Sequence, residues 1–202
     1  MRVKSDDRRK AILDVATELF RQQGYERTSM AEISAHVGGS KATLYNYFKS
    51  KEELFAAAMM EAMEERGEEV IGTLDASIGD VRAVLLRFGT AYLDLVTTQD
   101  ALAITRAAVA EGTHTKLGPL LYERGPRRGW RELSAYMEEM QKLGILRPAS
   151  SGVAAAHLLG MLEAGIVEPL LFGAEPEFDR MQAVRTAIDV FLLAYAQAGD
   201  MH

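Results

Sequence analysis

The stretch TSMAEISAHVGGSKATLYNYFKSKEELF, residues 28–55, decides the fold of this chain. Near its start, Ser29 is followed three residues later by Glu32. This spacing is a capping box, in which the serine side chain accepts a hydrogen bond from the first turn of the helix that it opens. Gly38 and Gly39 end that helix, because glycine tolerates the left-handed backbone conformation at a helix C-terminus. The pattern predicts a short helix between Ser29 and the glycine pair.

A second short helix follows the glycine pair directly. Ser40 caps it, and its predicted span is Lys41 to Phe48. A second capping box, Ser50 with Glu53, then opens a long helix at Lys51. Two capped helices separated by a turn of about three residues are typical of a helix-turn-helix, although an ordinary surface hairpin of helices shares such a turn.

The second short helix has the composition of a DNA-reading helix. Leu44 and Phe48 are its inward-facing apolar residues. Its other residues offer charge, hydroxyl or amide groups: Lys41, Thr43, Tyr45, Asn46 and Tyr47. A helix-turn-helix places the second of its two short helices in the DNA major groove, where small polar side chains contact base edges. The segment therefore predicts double-stranded DNA as a partner.

Residues 8–56, roughly a quarter of the chain, resemble the DNA-binding domain of the TetR family of bacterial transcriptional regulators, also called the TetR/AcrR family. The similarity is ungapped. The matching residues are Ala11, Ile12, Ala16, Leu19, Phe20, Gly24, Tyr25, Thr28, Ile33, Ser34, Gly38, Ser40, Thr43, Leu44, Tyr45, Tyr47, Phe48, Ser50, Lys51, Leu54 and Phe55. One departure is Gly39, where the family usually has a small β-branched apolar residue. We expect this glycine to loosen the turn without abolishing DNA binding.

The resemblance implies an all-α chain with two domains: a three-helix helix-turn-helix DNA-binding domain over residues 1–56, and a helical ligand-binding and dimerisation domain over residues 57–202. Two groups of side chains are predicted to bind DNA. The groove group is Lys41, Ala42, Thr43, Tyr45, Asn46 and Tyr47. The phosphate group is Thr28, Ser29 and Lys51, assisted by backbone N–H donors at the capped helix N-termini.

Composition supports a folded DNA-binding protein. The net charge is −6, but residues 1–51 carry ten Lys/Arg against six Asp/Glu, so the acidic excess lies in the rest of the chain. A basic N-terminal segment on an otherwise acidic chain limits non-specific DNA contact to one surface, although charge also varies between domains by chance. The chain has no cysteine, which excludes disulfides. It also lacks an apolar signal core and an apolar run of membrane-spanning length, so we expect a cytoplasmic protein without a membrane partner.

Helical periodicity continues through the rest of the chain. The predicted helices cover residues 7–23 with Gly24 as the stop, 51–71, 80–96, 100–110 with Asp100 as the cap, from 119 to Gly144, 153–172 and 177–198. The helix over 153–172 is apolar on more than one side, and a helix of that kind must be buried on more than one side. It is either a central core helix or shared between core and dimer interface. The resemblance favours a homodimer through the last two helices, with Leu159 and Leu192 on their apolar stripes and Gly160 and Gly165 allowing close helix approach.

The middle of the chain is similar to the ligand-binding half of such regulators. A pocket between helices is mostly apolar with a few converging polar groups. The candidate ligand-binding residues are Tyr92, Arg106, Tyr122, Trp130, His157 and Met161. Each has a plainer interpretation: Trp130 and Met161 as core residues, and Arg106 as an ion-pair partner of Glu111 or another acid. His157 is the favoured pocket group because it stands on a largely apolar helix.

Catalytic and metal-binding patterns do not support another function. The four histidines lack helical i, i+4 partners, and the chain has no cysteine that could help them bind zinc. The sequence near Ser40 approximates a nucleophile elbow, but that motif requires a preceding strand. We therefore expect no enzyme activity, no metal and no cofactor. The prediction is a repressor that a small apolar ligand releases from a palindromic operator; the alternative is a constitutive or protein-partner-controlled DNA-binding regulator without a small-molecule inducer.

Overall fold

The computed structural model describes residues 2–77, 79–112 and 114–197, with side chains for all of these except 2–5 and 62. Within these residues the chain forms eleven helices: α1 Arg2–Arg27, α2 Met30–Val37, α3 Lys41–Tyr47, α4 Lys51–Gly72, α5 Val81–Val96, α6 Gln99–Glu111, α7 Leu117–Arg124, α8 Pro126–Lys142, α9 Ser151–Glu163, α10 Val167–Leu171 and α11 Arg180–Tyr195. The described residues contain no strand, only an isolated antiparallel bridge between Leu146 and Ala196. The all-α prediction is confirmed.

The chain divides into two compact units. The first consists of Met1–Glu64 and Ala103–Arg124. Its core is an apolar cluster to which α1, α2, α3 and α4 contribute together with α6 and α7, and it includes Ile12, Phe20, Ile33, Leu44, Phe55, Ile104 and Leu117. This unit is larger than the predicted domain of residues 1–56, because α7 and most of α6 pack with the N-terminal helices. The functional domain boundary after residue 56 stays a prediction.

The second unit consists of Glu65–Leu102 and Gly125–His202. Its central helix is α9, which packs against α5, α8 and α11. Leu158 and Leu162 of α9 are fully buried in the resulting cluster, as are Met137 of α8 and Ile188 of α11. Packing on three sides explains why the sequence of α9 is apolar on more than one face.

Glycines set the helix ends, some where the sequence predicts them and some where it does not. Gly24 interrupts α1 with φ 81° and ψ 168°, which confirms the predicted stop there. The predicted helix from 119 to Gly144 is wrong as a single element: α7 ends before Gly125, and Pro126 begins α8. Proline is favourable at a first helical position but cannot continue a preceding helix.

The predicted helix over residues 153–172 is likewise two helices. The chain leaves α9 at Ala164, and Gly165 has φ 70°. A Cβ at Gly165 would lie 2.5 Å from Cε2 of Phe178, so this glycine makes room for a ring of its own chain, which corrects the predicted role in helix approach. The cap of α6 also differs from prediction, because Thr98 Oγ1, and not Asp100, accepts the backbone N–H of Ala101 at 3.2 Å.

Candidate nucleic-acid interface

The turn between α2 and α3 is tightly hydrogen-bonded. Gly38 has φ 71° and ψ 54°, the left-handed conformation that glycine adopts without a steric penalty. The N–H of Gly39 donates to Ser34 O at 3.2 Å, and Ser34 Oγ donates to Gly39 O at 2.9 Å. The side chain of Arg8 adds a third bond, from Nη2 to Gly38 O at 3.1 Å. The expectation that Gly39 loosens this turn is therefore not supported.

Serine caps fix the helices on both sides of the turn. Ser29 Oγ accepts the N–H of Glu32 at 3.2 Å, and Ser40 Oγ accepts the N–H of Thr43 at 3.1 Å. Ser50 Oγ accepts the N–H of Glu53 at 3.2 Å and so begins α4. All three caps occur where the sequence predicts them. Because each cap satisfies an otherwise unpaired N–H of a first turn, the direction of each helix is fixed locally.

Helix α3 has one buried face and one exposed face. Leu44 is buried, as is Phe48 directly after the helix. Lys41, Ala42 and Asn46 are exposed, and Tyr45 is 44% exposed. The groove group has two further members, Thr43 and Tyr47, and both are half-buried. The structure thus brings the predicted groove residues onto one short helix, while their contact with DNA stays a prediction.

Thr43 is held by its own helix cap. Its hydroxyl lies 2.9 Å from Ser40 Oγ, within hydrogen-bond distance. A hydroxyl both donates and accepts, so this contact leaves Thr43 Oγ1 with further hydrogen-bonding capacity. The side chain is therefore oriented before any partner binds.

The three predicted phosphate-binding residues differ in accessibility. Ser29 is exposed, whereas Thr28 is only 1% exposed. The Thr28 hydroxyl donates to Gly24 O at 2.8 Å, which satisfies a carbonyl beside the break in α1. The structure therefore does not support a phosphate contact from the Thr28 side chain, and gives this residue a role in holding the end of α1.

Lys51 is positioned by the end of α1. Its Nζ donates to Glu26 O at 3.2 Å and lies 4.1 Å from the centroid of the Tyr25 ring. Burial, followed by the nearby Glu52 carboxylate, raises the pKa of the Tyr25 phenol well above its usual value, so the ring stays neutral beneath the ammonium. An ammonium carries three N–H donors, and the bond to Glu26 uses one of them.

The predicted ligand-binding residues are divided between the two units. Arg106 and Tyr122 belong to the first unit, where both are exposed. Tyr92, Trp130, His157 and Met161 belong to the second unit. The ligand role of Arg106 and Tyr122 stays a prediction.

In the second unit the polar candidates have separate partners. The Tyr92 hydroxyl donates to the Glu163 carboxylate, and burial, then the charge of Glu163, raises the pKa of Tyr92 well above its usual value. Trp130 Nε1 donates to Gly152 O at 2.9 Å, at the other end of α9. The result is a row of contacts along α9, and the ligand role of each residue stays a prediction.

His157 lies on the exposed side of α9. Its Nδ1 is 2.7 Å from the Tyr195 hydroxyl. The half-buried Met161 follows one turn later on the same helix. A side chain exposed on α9 is also available to a second protein chain, so exposure of His157 does not favour a pocket role over an interface role.

A cleft that sequence reasoning missed lies between α5 and α11. It has a volume of about 190 Å³ and is lined by Thr90, Leu93, Asp94, Asp179, Arg180, Met181 and Val184. None of the six predicted ligand residues lines it. Arg180 Nη1 donates to Asp94 Oδ1 at 3.2 Å and to Thr97 Oγ1 at 3.1 Å. No local pattern marks these residues, because α5 and α11 are far apart in sequence.

The last long helices present apolar residues to solvent. On α9, Val153 is 49% exposed, and on α11, Val190 and Leu193 are 48% and 70% exposed. Leu159 and Leu192, which the sequence assigns to a dimer interface, are half-buried against the core of their own unit. The exposed positions therefore differ from the predicted ones by one residue on α11, and a shift of one residue turns a helix by about 100°.

Within the described part of the chain, no group of three or more His, Cys, Asp or Glu side chains could hold a metal ion. No helix among those residues has both the length and the apolar character needed to cross a membrane.

Profiles of two protein families match the chain. Residues 12–58 match the bacterial regulatory proteins of the tetR family. Residues 83–197, more than half of the chain, match the C-terminal domain of AefR-like transcriptional repressors. The chain belongs to the TetR family of bacterial transcriptional regulators. It is accordingly a transcriptional regulator and not an enzyme, from a family whose members bind DNA, function as dimers and are often ligand-responsive.

Solved structures of TetR-family proteins share the fold over nearly the whole chain. A regulator from Mesorhizobium loti MAFF303099 superimposes with a TM-score of 0.84 at 22% identity, covering 95% of this chain and 98% of that one. The flavonoid-responsive regulator FrrA superimposes with a TM-score of 0.76 at 27% identity, covering 96% of this chain and all of FrrA. The helix-turn-helix and the helical body therefore have the TetR-family arrangement of elements.

The chain spans less than half the length of the first curated relatives that it matches. The nicotine-responsive transcriptional repressor HdnoR of Paenarthrobacter nicotinovorans is 32% identical over 87 residues, or 43% of this chain and 44% of HdnoR. The chain thus matches less than half the length of this relative, and the same holds for an uncharacterised regulator of Bacillus subtilis, with 37% of its length matched. The ligands of such relatives do not transfer with the similarity.

Proposed function

We propose that this TetR-family protein is a homodimeric, sequence-specific repressor that binds a palindromic operator and is released from it by a small apolar ligand. The observation that carries the proposal is the exposed face of α3, bounded by serine caps and a hydrogen-bonded turn. A helix of this kind is held rigidly enough to place side chains against base edges, which is what sequence-specific binding requires.

Base reading is assigned to the exposed face of α3. Asn46 and Lys41 offer an amide and a charged amine to base edges, and Thr43 offers a methyl and a hydroxyl. Ala42 is small enough to approach a thymine methyl. Tyr45 and Tyr47 lie at or beside the groove and serve as either base or phosphate contacts.

Phosphate binding is assigned to Ser29 and Lys51. Both stand at helix N-termini, of α2 and α4, where the helix dipole favours anions. The contact of Lys51 with Glu26 O and the Tyr25 ring restrains its long side chain before DNA binds. Restraint of this kind lowers the entropy lost on binding. Thr28 contributes by fixing the end of α1 through its hydroxyl, and not by binding a phosphate.

Dimerisation is assigned to α9 and α11. Val153, His157 and Gly160 share one face of α9 by their spacing, and Val190 and Leu193 share one face of α11. Exposed leucine and valine on neighbouring helices are unfavourable in water and favour burial against a second copy. The two DNA-binding domains of one dimer bind the two half-sites of the operator. Because the domains are linked, binding of the first raises the effective concentration of the second, and the overall affinity rises.

Ligand control is assigned to the second unit. The nicotine-responsive and flavonoid-responsive relatives support a small, largely apolar effector. Tyr92, Trp130, His157 and Met161 are the proposed ligand contacts within this unit. The ligand contacts of Arg106 and Tyr122, which lie in the first unit, stay predictions from the sequence. A ligand releases DNA only by binding the two dimer conformations with different affinity, and a tenfold release requires about 1.4 kcal/mol of difference.

Binding-site selection tests the DNA function, and an effector library tests the control. The full-length protein is incubated with random duplexes, and bound sequences are recovered. Enrichment of an inverted repeat supports the dimeric repressor. Compounds from an apolar library are then added to the complex. If the protein binds compounds tightly while its operator affinity stays the same, the alternative holds: a constitutive or protein-partner-controlled regulator.

A further inference from the structure

In the turn of the helix-turn-helix, the Arg8 guanidinium occupies the space that a side chain at position 39 would fill. Arg8, on α1, donates from Nη2 to Gly38 O at 3.1 Å. A Cβ placed on Gly39 would lie only 2.6 Å from that same Nη2. Carbon and nitrogen atoms without a bond do not approach so closely, so any side chain at residue 39 would displace the Arg8 guanidinium from the turn.

Gly39 is not needed for its backbone conformation. The glycines with positive φ among the described residues are Gly24, Gly38, Gly144, Gly165 and Gly173. Other residues therefore fit the backbone at position 39 without strain. What this glycine provides is space, and Arg8 occupies it.

The Arg8 guanidinium lies beside the DNA-reading helix. Arg8, Ser40 and Thr43 line the same shallow recess, of about 10 Å³, at the first turn of α3. A guanidinium has five N–H donors in a planar fork that matches phosphate oxygens, and the bond to Gly38 O uses one of them. The bond fixes the side chain at the edge of the face that carries the proposed base contacts.

Arg8 also has a purely structural interpretation. Gly38 is the C-cap of α2, and a cation beside the last carbonyls of a helix stabilises that helix. A stabilising role of this kind would change the thermal stability of the first unit. It would not change the number of counterions that DNA releases when the protein binds.

We propose that Arg8 binds a DNA phosphate beside the first turn of α3, from a position that Gly39 makes available. This inference rests on the proposed operator binding and adds a contact outside the DNA-binding residues predicted from the sequence. The contact is made twice in a dimer. Each neutralised phosphate contributes about 0.9 to the slope of log affinity against log salt concentration.

The salt dependence of DNA binding tests the proposal. Affinity is measured between about 50 and 200 mM salt for the unmodified protein, Arg8→Ala and Arg8→Lys, on the selected operator and on a random-sequence duplex of equal length. We expect Arg8→Ala to lower the slope by about 1.8 on both duplexes. Arg8→Lys keeps the charge and should retain most of the slope. Circular dichroism and thermal unfolding check that each variant is folded.

Lys10→Ala is the matched control. Lys10 is exposed on α1 and, two residues from Arg8, points to nearly the opposite side of the helix. The Lys10→Ala substitution removes one positive charge from the same turn of α1 as Arg8→Ala. If the salt slope depended only on total positive charge, Lys10→Ala would lower it as well. We expect the Lys10→Ala slope to match that of the unmodified protein.

Gly39→Ala tests whether the Arg8 contact depends on the space that the missing side chain at position 39 leaves. The new Cβ should displace the guanidinium, so Arg8→Ala should reduce affinity less in the Gly39→Ala background than in the unmodified protein. Equal effects in the two backgrounds contradict the role of Gly39. An unchanged slope for Arg8→Ala, on a duplex that the unmodified protein binds, overturns the phosphate contact and leaves only the structural role. If the unmodified protein binds neither duplex, the proposed function itself is wrong.

Discussion

Replacing Lys51 with alanine separates two roles that the structure gives to one side chain. The first role is structural, because Lys51 Nζ contacts Glu26 O and the Tyr25 ring. A partly exposed cation–π contact contributes about 0.5–1 kcal/mol, and a net hydrogen bond contributes a similar amount. We expect Lys51→Ala to lower the free energy of unfolding by about 1 kcal/mol, which corresponds to about 2–4 °C in the midpoint of a chain of this size.

The second role of Lys51 is the proposed phosphate contact. Loss of one phosphate contact per protomer removes two per dimer, so the slope of log affinity against log salt should fall by about 1.8. Affinity should fall by a similar factor for operator and random duplexes, because phosphates carry no sequence information. Fluorescence anisotropy with labelled duplexes over a range of salt concentrations measures both quantities.

Lys142→Ala is the control for this experiment. Lys142 lies in the second unit and pairs with Glu138 at 2.9 Å, so its loss removes the same charge without touching the helix-turn-helix. We expect its slope to equal that of the unmodified protein. A steep loss of affinity in Lys51→Ala with an unchanged slope would refute the phosphate contact and leave only the structural role.

Three further predictions address base reading, assembly and control. Thr43→Ala should relax the preferred base at one position in each half-site, by about 1–3 kcal/mol; a binding-site selection that returns the parent motif would contradict base reading by Thr43. Leu193→Glu should convert dimer to monomer in light scattering, because burying an unpaired charge in an interface costs several kcal/mol. Leu143→Glu, at a leucine that is also exposed but lies after α8, should leave the dimer intact, and equal behaviour of the two variants would argue against the α9–α11 interface. An apolar effector should both change Trp130 fluorescence and weaken operator binding, and a library without such a compound would favour control by other means.

The helix-turn-helix could be predicted from the sequence because its determinants are local. The caps at Ser29, Ser40 and Ser50 each bond to an N–H three residues away, and Gly38 determines the turn by its own φ. Such contacts leave a pattern at fixed spacing. The order and approximate ends of these helices follow from that pattern alone.

Contacts between distant residues could not be predicted in the same way. Tyr92 and Glu163 are 71 residues apart, and Arg8 and Gly38 are 30 apart. No spacing rule connects them. The bond from the Thr28 hydroxyl to Gly24 O spans only four residues, but it forms at the break in α1, where Gly24 has non-helical backbone angles. The candidate ligand residues follow from residue type alone, and Tyr92, Trp130 and His157 each have a separate partner.

The last helices show a limit of apolar periodicity. The apolar residues predict that α11 is buried on one side and α9 on more than one, but periodicity does not show which side faces the core. Leu192 and Leu193 are neighbours in sequence, yet one is half-buried against its own unit and the other is 70% exposed. Only the packed structure distinguishes the core side from the proposed interface.

Selection of duplexes from random DNA by the full-length protein tests the central claim most directly. A homodimer with one reading helix per protomer should enrich an inverted repeat whose half-sites are separated by about one helical turn, or a multiple of it. The recovered motif should bind far more tightly than a random duplex at the same salt concentration. Recovery of no motif, with equal affinity for all duplexes, would contradict sequence-specific operator binding by α3.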